Sequence, residues 1–574
     1  MKYPSLILLS LTLAFSLGAC GRTETPATEV SQTAKSLLSH VPADTPYLAA
    51  NLQPLPDEVM DAYFKRMEPV TTELQSQLFG MKSRLETGGE STTGDETMDR
   101  LLLALLTEFD GKLSQEGLES MGWDLRAAKV IYGDGAFPVV RLGLSDPAAL
   151  RATVLRVLEN AEVEAPELEF QGISYWRVAH SDTAEAPLAV YISILPDHLV
   201  AAIYPLALES DFLPGFLGLE FPASNDAAER IAALNQEYDL TPYGTGYLDL
   251  HRLADEFTDP QAATAGALIS AGAYELSTFD ETCVAETHRL IDNSPNWYFG
   301  FTRVEEKAVE YRFLAEMPTG LAGQMAGLVA KIPAARAVTD RIAEVAFGMK
   351  VGAVRDFLRE KANGIVANPF QCEHYADLNR KAEEALVKLD QPLPPFVNNF
   401  RGVRLSIKEL EMVPGQEMPK DVKGYLAVHV DEPQMVVGMA QMFLPDLSEM
   451  QLAPGEDPAR VPEFLMSYQG IEAWAAMSDE AIGVSVGAGE QDGLVAFLEM
   501  DAGPEGSFFS ADYDYGAYYD LQLMDMPGEG KESSATLDLT EVMIEAAKEA
   551  TDRNHLEMKF TPEGLVIENL VTFK

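Results

Sequence analysis

The sequence predicts an α+β protein of two related lobes, each mostly antiparallel sheet with packed helices, arisen by internal duplication. Three observations predict it. Phe170-Gln171-Gly172-Ile173-Ser174-Tyr175-Trp176 returns as Tyr468-Gln469-Gly470-Ile471-Glu472-Ala473-Trp474, with Q-G-I and the tryptophan at one offset. Before each copy a strand (Val139 to Leu144, Tyr425 to Val430) runs into an acidic residue, a proline and a helical stretch, reaching Leu158 in one and Phe443 in the other. After each comes an alternating strand, Val190 to Leu195 or Ile482 to Val486, then a turn and a further apolar segment.

In chain order, Lys2 precedes an apolar run from Leu6 to Leu17 that is too short to anchor in a bilayer, the pattern of a signal peptide. It ends in Leu17-Gly18-Ala19-Cys20, which resembles the lipobox of bacterial lipoproteins. That resemblance implies cleavage before Cys20 and its acylation, an anchorage that several acyl chains make effectively permanent. The remaining organisation reads as residues 1–19 signal peptide, 20–36 lipidated cysteine and tether, 37–255 first lobe, 256–400 hairpin and helical middle, and 401–574 second lobe. The tether, rich in Thr, Glu, Ala and Pro, has too few apolar groups to offset the entropy of ordering. Gly21, where enteric lipoproteins retained in the inner membrane have Asp, points to the periplasmic face of the outer membrane.

Past the tether, Pro42-Ala43-Asp44-Thr45-Pro46 resembles the strand entry of a group of uncharacterised bacterial envelope lipoproteins, and that resemblance implies no activity. Prolines after acidic residues, at Asp146-Pro147 and Glu432-Pro433, suit first helical turns. Apolar periodicity predicts helices over 98–113, 226–235, 321–330, 334–361 and 376–389. Trp297 to Arg303 with Val309 to Ala315, and His555 to Phe560 with Leu565 to Thr572, read as hairpins. Gly246-Tyr247-Leu248-Asp249-Leu250 pairs by eye with Ala517-Tyr518-Tyr519-Asp520-Leu521 as a repeated Tyr-rich strand, and residues 86–96 read as a polar loop.

Composition limits the partners. There are 90 acidic residues against 42 Lys plus Arg, a net charge of -48 that becomes -49 once Lys2 leaves with the leader. Nucleic acid and anionic lipid surfaces are repelled by such a field. Basic partners or cations are tolerated; a solvated acidic surface, or adaptation to salt, explains the charge equally. With Cys20 lipidated, Cys283 and Cys372 remain as an even pair in an oxidising compartment, which favours a disulfide over buried thiols or a redox pair.

Chemistry-bearing motifs are few. Gly483-Val484-Ser485-Val486-Gly487 matches the G-x-S-x-G of a nucleophile elbow, but Ser485 falls inside an alternating strand and His555 is the sole downstream histidine. The eight histidines (His40, His180, His198, His251, His288, His374, His429 and His555) lack short metal-ligand spacing. Asp512-Tyr513-Asp514-Tyr515-Gly516 departs twice from a calcium loop. Trp176 and Trp474 read as equivalent core positions rather than as groove walls. The expectation is a non-catalytic, lipid-anchored envelope protein without cofactor or metal, binding or scaffolding an unknown envelope protein. A carrier of an apolar ligand between the lobes is the first rival, and a serine hydrolase using Ser485 the second.

Overall fold

The computed structural model describes residues 30–86, 96–163, 167–179, 188–270, 280–336, 340–412, 419–443, 447, 450–462, 472–518 and 547–574. Cys20, His180, the 87–95 loop, Gln469 to Ile471 and Tyr519 to Leu521 lie outside them. The chain is α+β, and its strand pairs are antiparallel. It divides into two units: among the described residues the first holds 30–291 and Pro295–Tyr311, the second Asp292–Ser294, 312–518 and Ala547–Lys574.

In the first unit the strands are β1 (Tyr47–Ala50), β2 (Lys129–Asp134), β3 (Phe137–Gly143), β4 (Leu168–Phe170), β5 (Ile173–Ala179), β6 (Leu188–Ile194), β7 (His198–Pro205), β8 (Thr245–Asp249) and β9 (Asn296–Glu305). They pair in the order β5-β6-β7-β3-β2-β1-β8-β9, with β4 on β5. Period-two alternation sends Leu48, Val130, Tyr132, Val139, Tyr191 and Val200 into one core, where Leu37, Phe212, Phe216 and Ile231 meet them. Each such side chain contributes roughly 1.5–3 kcal/mol of burial. The Gln171-Gly172 pair of the repeat is the β4–β5 turn: both have positive φ (51° and 88°), which a two-residue hairpin requires.

In the second unit the strands are β11 (Ala343–Gly348), β12 (Phe400–Met412), β13 (Pro419–Val430), β14 (Ala459–Arg460), β15 (Ala473–Met477), β16 (Ala481–Val486), β17 (Ser507–Asp514), β18 (Thr551–Thr561) and β19 (Gly564–Phe573). Their order is β14-β15-β16-β13-β12-β11-β17-β18-β19. The helix Gln491–Leu498 lies so close over β16 that a Cβ on Gly483 would fall 2.5 Å from Leu498.

Both predicted hairpins form, β18 with β19 and β9 with β10 (Ala308–Glu316). The helix Ala376–Leu389 has the predicted bounds, and Asp146 caps Pro147–Asn160 by accepting from the Ala149 amide at 3.0 Å. Cys283 and Cys372, both buried, are disulfide-bonded.

Two expectations are corrected. The helix predicted over 334–361 is a strand, β11, followed by a helix only from Val351 to Ala367. Its Ala, Glu and Phe satisfy a helical period locally, but pairing with β12 and β17 overrides propensity. Ala517 and Tyr518, read as strand, lie in a helical turn past the end of β17. There Asp514 accepts from the Ala517 amide at 2.8 Å, as Asp249 accepts from the Arg252 amide at the end of β8.

Candidate functional site

Buried charge distinguishes the second unit. On β11, Glu344 is fully buried and pairs with two arginines: Arg404 on β12, whose Nε donates at 2.7 Å, and Arg341. Arg404, also fully buried, donates through Nη1 to the Phe497 carbonyl at 3.1 Å, near the C-terminal end of Gln491–Leu498, where backbone carbonyls lack helical partners. Directly across from Glu344 on β17 is Asp512, again without exposure, and Asp512 is ion-paired to Arg553 of β18. Next along the same rung stands His555.

His555 opens onto a cleft of ≈ 680 Å³ in this unit. Ala334, Ala335, Ala496, Ala502 and Gly503 form its small-residue floor, while Arg336, Glu499, Met500, Asp501 and Glu557 supply its functional groups. Two hydrogen bonds fix the floor: Gly503 N–H to the Ile332 carbonyl (2.9 Å) and Ala335 N–H to Ser510 Oγ (2.7 Å). Asp512 Oδ1 is bound by Arg553, but Asp512 Oδ2 accepts no hydrogen bond, and His555 Nδ1 stands 3.5 Å from it. Glu557 Oε1 is likewise buried without a hydrogen-bond partner. Such atoms cost free energy until a donor reaches them.

The first unit has a buried cation of its own. Arg141 on β3 is fully buried, lies 2.8 Å from His198 Nε2, and donates to the carbonyls of Gly215 and Phe216, both at 3.1 Å. Burial, then the neighbouring guanidinium, lowers the pKa of His198; the same two causes bring His40 to about 3. The cavity beside Asn51 and Lys129 in this unit measures ≈ 50 Å³, room for little beyond a water molecule.

The residues singled out from sequence are dispersed. Ser485 is mid-strand in β16, fully buried between Tyr425 and Trp474, and its Oγ has no hydrogen-bond partner. Its flanking glycines have structural reasons: Gly483 admits the helix above it, and Gly487 turns the chain with φ 102°. A Ser485→Ala substitution is therefore expected to leave the free energy of unfolding unchanged or raise it by up to about 1 kcal/mol, measured by denaturant titration. Asp512 and Asp514 of the calcium-like loop are spent on Arg553 and on a helix cap.

His429, on β13, is buried with Nε2 unpartnered, and burial followed by the Arg404 charge brings its pKa down to about 4. His251 and His288 meet in stacked rings, Nδ1 to Nδ1 at 2.6 Å, although 37 positions apart, with Asp255 2.9 Å from His288 Nε2. Among the described residues no group of three or more His, Cys, Asp and Glu is arranged to hold a metal, and no helix is long and apolar enough to cross a membrane.

Sequence reading missed that His555 stands beside Asp512 and that His555 and Glu557 line one cleft. A scan against protein-family models and searches of curated proteins and of solved structures gave no match to the chain.

Proposed function

We propose that this chain is an exported lipoprotein, anchored through Cys20 at the periplasmic face of the outer membrane, that binds a polar ligand in the cleft of its second unit and has no catalytic role. The lipobox-like Leu17-Gly18-Ala19-Cys20 supports the anchor. The observation that carries the binding reading is the cleft itself, ≈ 680 Å³ and lined by the polar side chains of Arg336, Glu499, Asp501, His555 and Glu557. A pocket of this size with a few convergent polar groups is what a small-molecule site needs. The charged lining favours a polar ligand over the apolar cargo of the rival reading, and a fully buried Ser485 gives the hydrolase no support.

The two units are read as copies of one ancestral unit. In each, three sequential strands pair as neighbours (β1-β2-β3 and β11-β12-β13), a later strand joins the outer side of the third (β7 and β16), and a still later one joins the first (β8 and β17). This topology matches β16 with β7 and not with Val190–Leu195 on β6, and it puts Trp176, on β5, one strand further from β3 than Trp474, on β15, is from β13, so the strand match and the tryptophan match read from sequence do not fit it. Matching Val139 to Leu144 with Tyr425 to Val430 places the acid-Pro helix starts, the Glu209–Phe216 and Gln491–Leu498 helices and the capping Asp249 and Asp514 in correspondence. The buried arginine has moved by one strand: Arg141 pairs with Val130, and Arg404 with Ala427 at the matching positions of the neighbouring strands.

A photo-reactive residue at Ala502, compared in intact cells with one at exposed Arg380, tests the binding reading. An adduct formed from Ala502 and not from Arg380 is expected, and its mass separates a small ligand from a scaffolded protein. No adduct from Ala502, or the same adducts from both positions, would count against it.

A further inference from the structure

We propose that the second unit pairs with the same unit of another copy of this chain through the apolar face of its sheet, the face turned away from Glu344 and Arg404. Alternation fixes the two faces. Glu344, Ala346, Arg404, Ser406, Ala427 and Ser485 project to the side of the helix Gln491–Leu498 and are all buried. The residues between them project to the other side. One rung there runs Val345-Leu405-Leu426-Val484 across β11, β12, β13 and β16, and the next runs Phe347-Val403-Val428-Ile482. A third runs from Ala343 to Val486, and β17 extends the three with Ala511, Phe509 and Tyr513. None of these side chains is charged.

This face is open to water. Leu426, Leu405 and Phe347, on its middle strands, are 44%, 41% and 39% exposed, and the valines and isoleucine beside them on the two rungs are half-buried. The first unit covers part of its own outer face: along the rung Val140-Ala201-Ile192-Trp176 both end residues are buried, and Arg151 of the helix Pro147–Asn160 sits 5.5 Å over the Trp176 ring. A contiguous apolar patch of this kind marks an interaction surface.

Size and charge select the occupant. Five strands about 4.8 Å apart and three rungs about 6.8 Å apart span roughly 500 Å². Two such faces together remove about 1,000 Å² from water, enough to enter the range of specific protein–protein contacts. A small ligand needs a concave site that encloses most of its surface, whereas an open sheet face packs on another sheet face about 10 Å away. The net charge of -48 draws a basic partner to the acidic surface and gives it nothing to pair with on this uncharged face. A like-charged partner can make close contact only where charge is missing. A second copy meets that condition, and a two-fold axis through the patch sets it against itself.

Cross-linking of full-length Leu405→Cys in isolated membranes with a bis-maleimide that spans about 10 Å tests this. Cys283 and Cys372 are disulfide-bonded, and the parent chain controls for Cys20. We expect a cross-linked homodimer from Leu405→Cys, and none from the parent or from Arg380→Cys on the exposed side of the helix Ala376–Leu389. Adding Leu426→Glu should cut the yield at least about tenfold, since each dimer would bury two unpaired carboxylates. The circular dichroism of that variant should match the parent, because Leu426 already meets water. Raising NaCl from about 0.05 to about 0.5 M should increase the yield, because screening weakens the repulsion between two chains of -48. No homodimer from Leu405→Cys, equal yields from Leu405→Cys and Arg380→Cys, or a yield that Leu426→Glu leaves unchanged overturns the inference. An adduct with a different protein in place of the homodimer, or a yield that falls with salt, overturns it as well.

Discussion

Glu344→Ala is expected to destabilise the second unit by about 3–5 kcal/mol, the largest loss from any single substitution considered. Glu344 and Arg404 are both without exposure, and Arg404 has as its other partner the Phe497 carbonyl. Truncating the acid strands a guanidinium where water cannot solvate it. The ion pair itself contributes far less than this, because desolvating both charges offsets most of their attraction. The double substitution Glu344→Leu with Arg404→Leu should accordingly recover most of the loss. Denaturant unfolding of the three variants checks both parts. A loss below about 1 kcal/mol for Glu344→Ala would mean that water reaches Arg404.

Acid should weaken the same unit through His429. Its pKa falls from 6.5 to about 4 on folding, so above pH 6.5 the group is neutral in both states and contributes no pH dependence. As the pH drops from 6.5 toward 4, the unfolded chain takes up a proton that the folded chain refuses, and stability falls. The full loss approaches about 3 kcal/mol, of which about 2 should be present near pH 5. His40, brought to about 3 in the first unit, adds a fall of the same sign that extends to lower pH. His429→Leu should remove its share of the slope while leaving stability near pH 7 equal or higher, since Nε2 has no hydrogen bond to lose. Parallel pH profiles for parent and variant would contradict this.

Local signals carried much of the fold. The hairpins, the Asp146-Pro147 helix start and the bounds of Ala376–Leu389 follow from alternation, capping and period, all of which operate within a few residues. The 334–361 region failed because only pairing with β12 and β17 makes Ala343–Gly348 a strand.

The site was harder to read, since the second unit inverts the usual alternation. Arg404 and Ser406 point inward and are fully buried, while Leu405 between them is 41% exposed. Alternation alone assigns Leu405 to the core. His555 looks like one more histidine in a terminal hairpin until Asp512 is found beside it, and Asp512 was absorbed into a poor calcium motif.

The proposed anchorage and compartment rest on processing at Cys20, so the most direct measurement is the intact mass of the protein extracted from membranes, with its N-terminal peptide sequenced. The account predicts a chain beginning at Cys20 and carrying thioether-linked diacylglycerol, with residues 1–19 absent. A chain that retains Met1 to Ala19, or one cleaved to expose an unmodified Cys20, would contradict it.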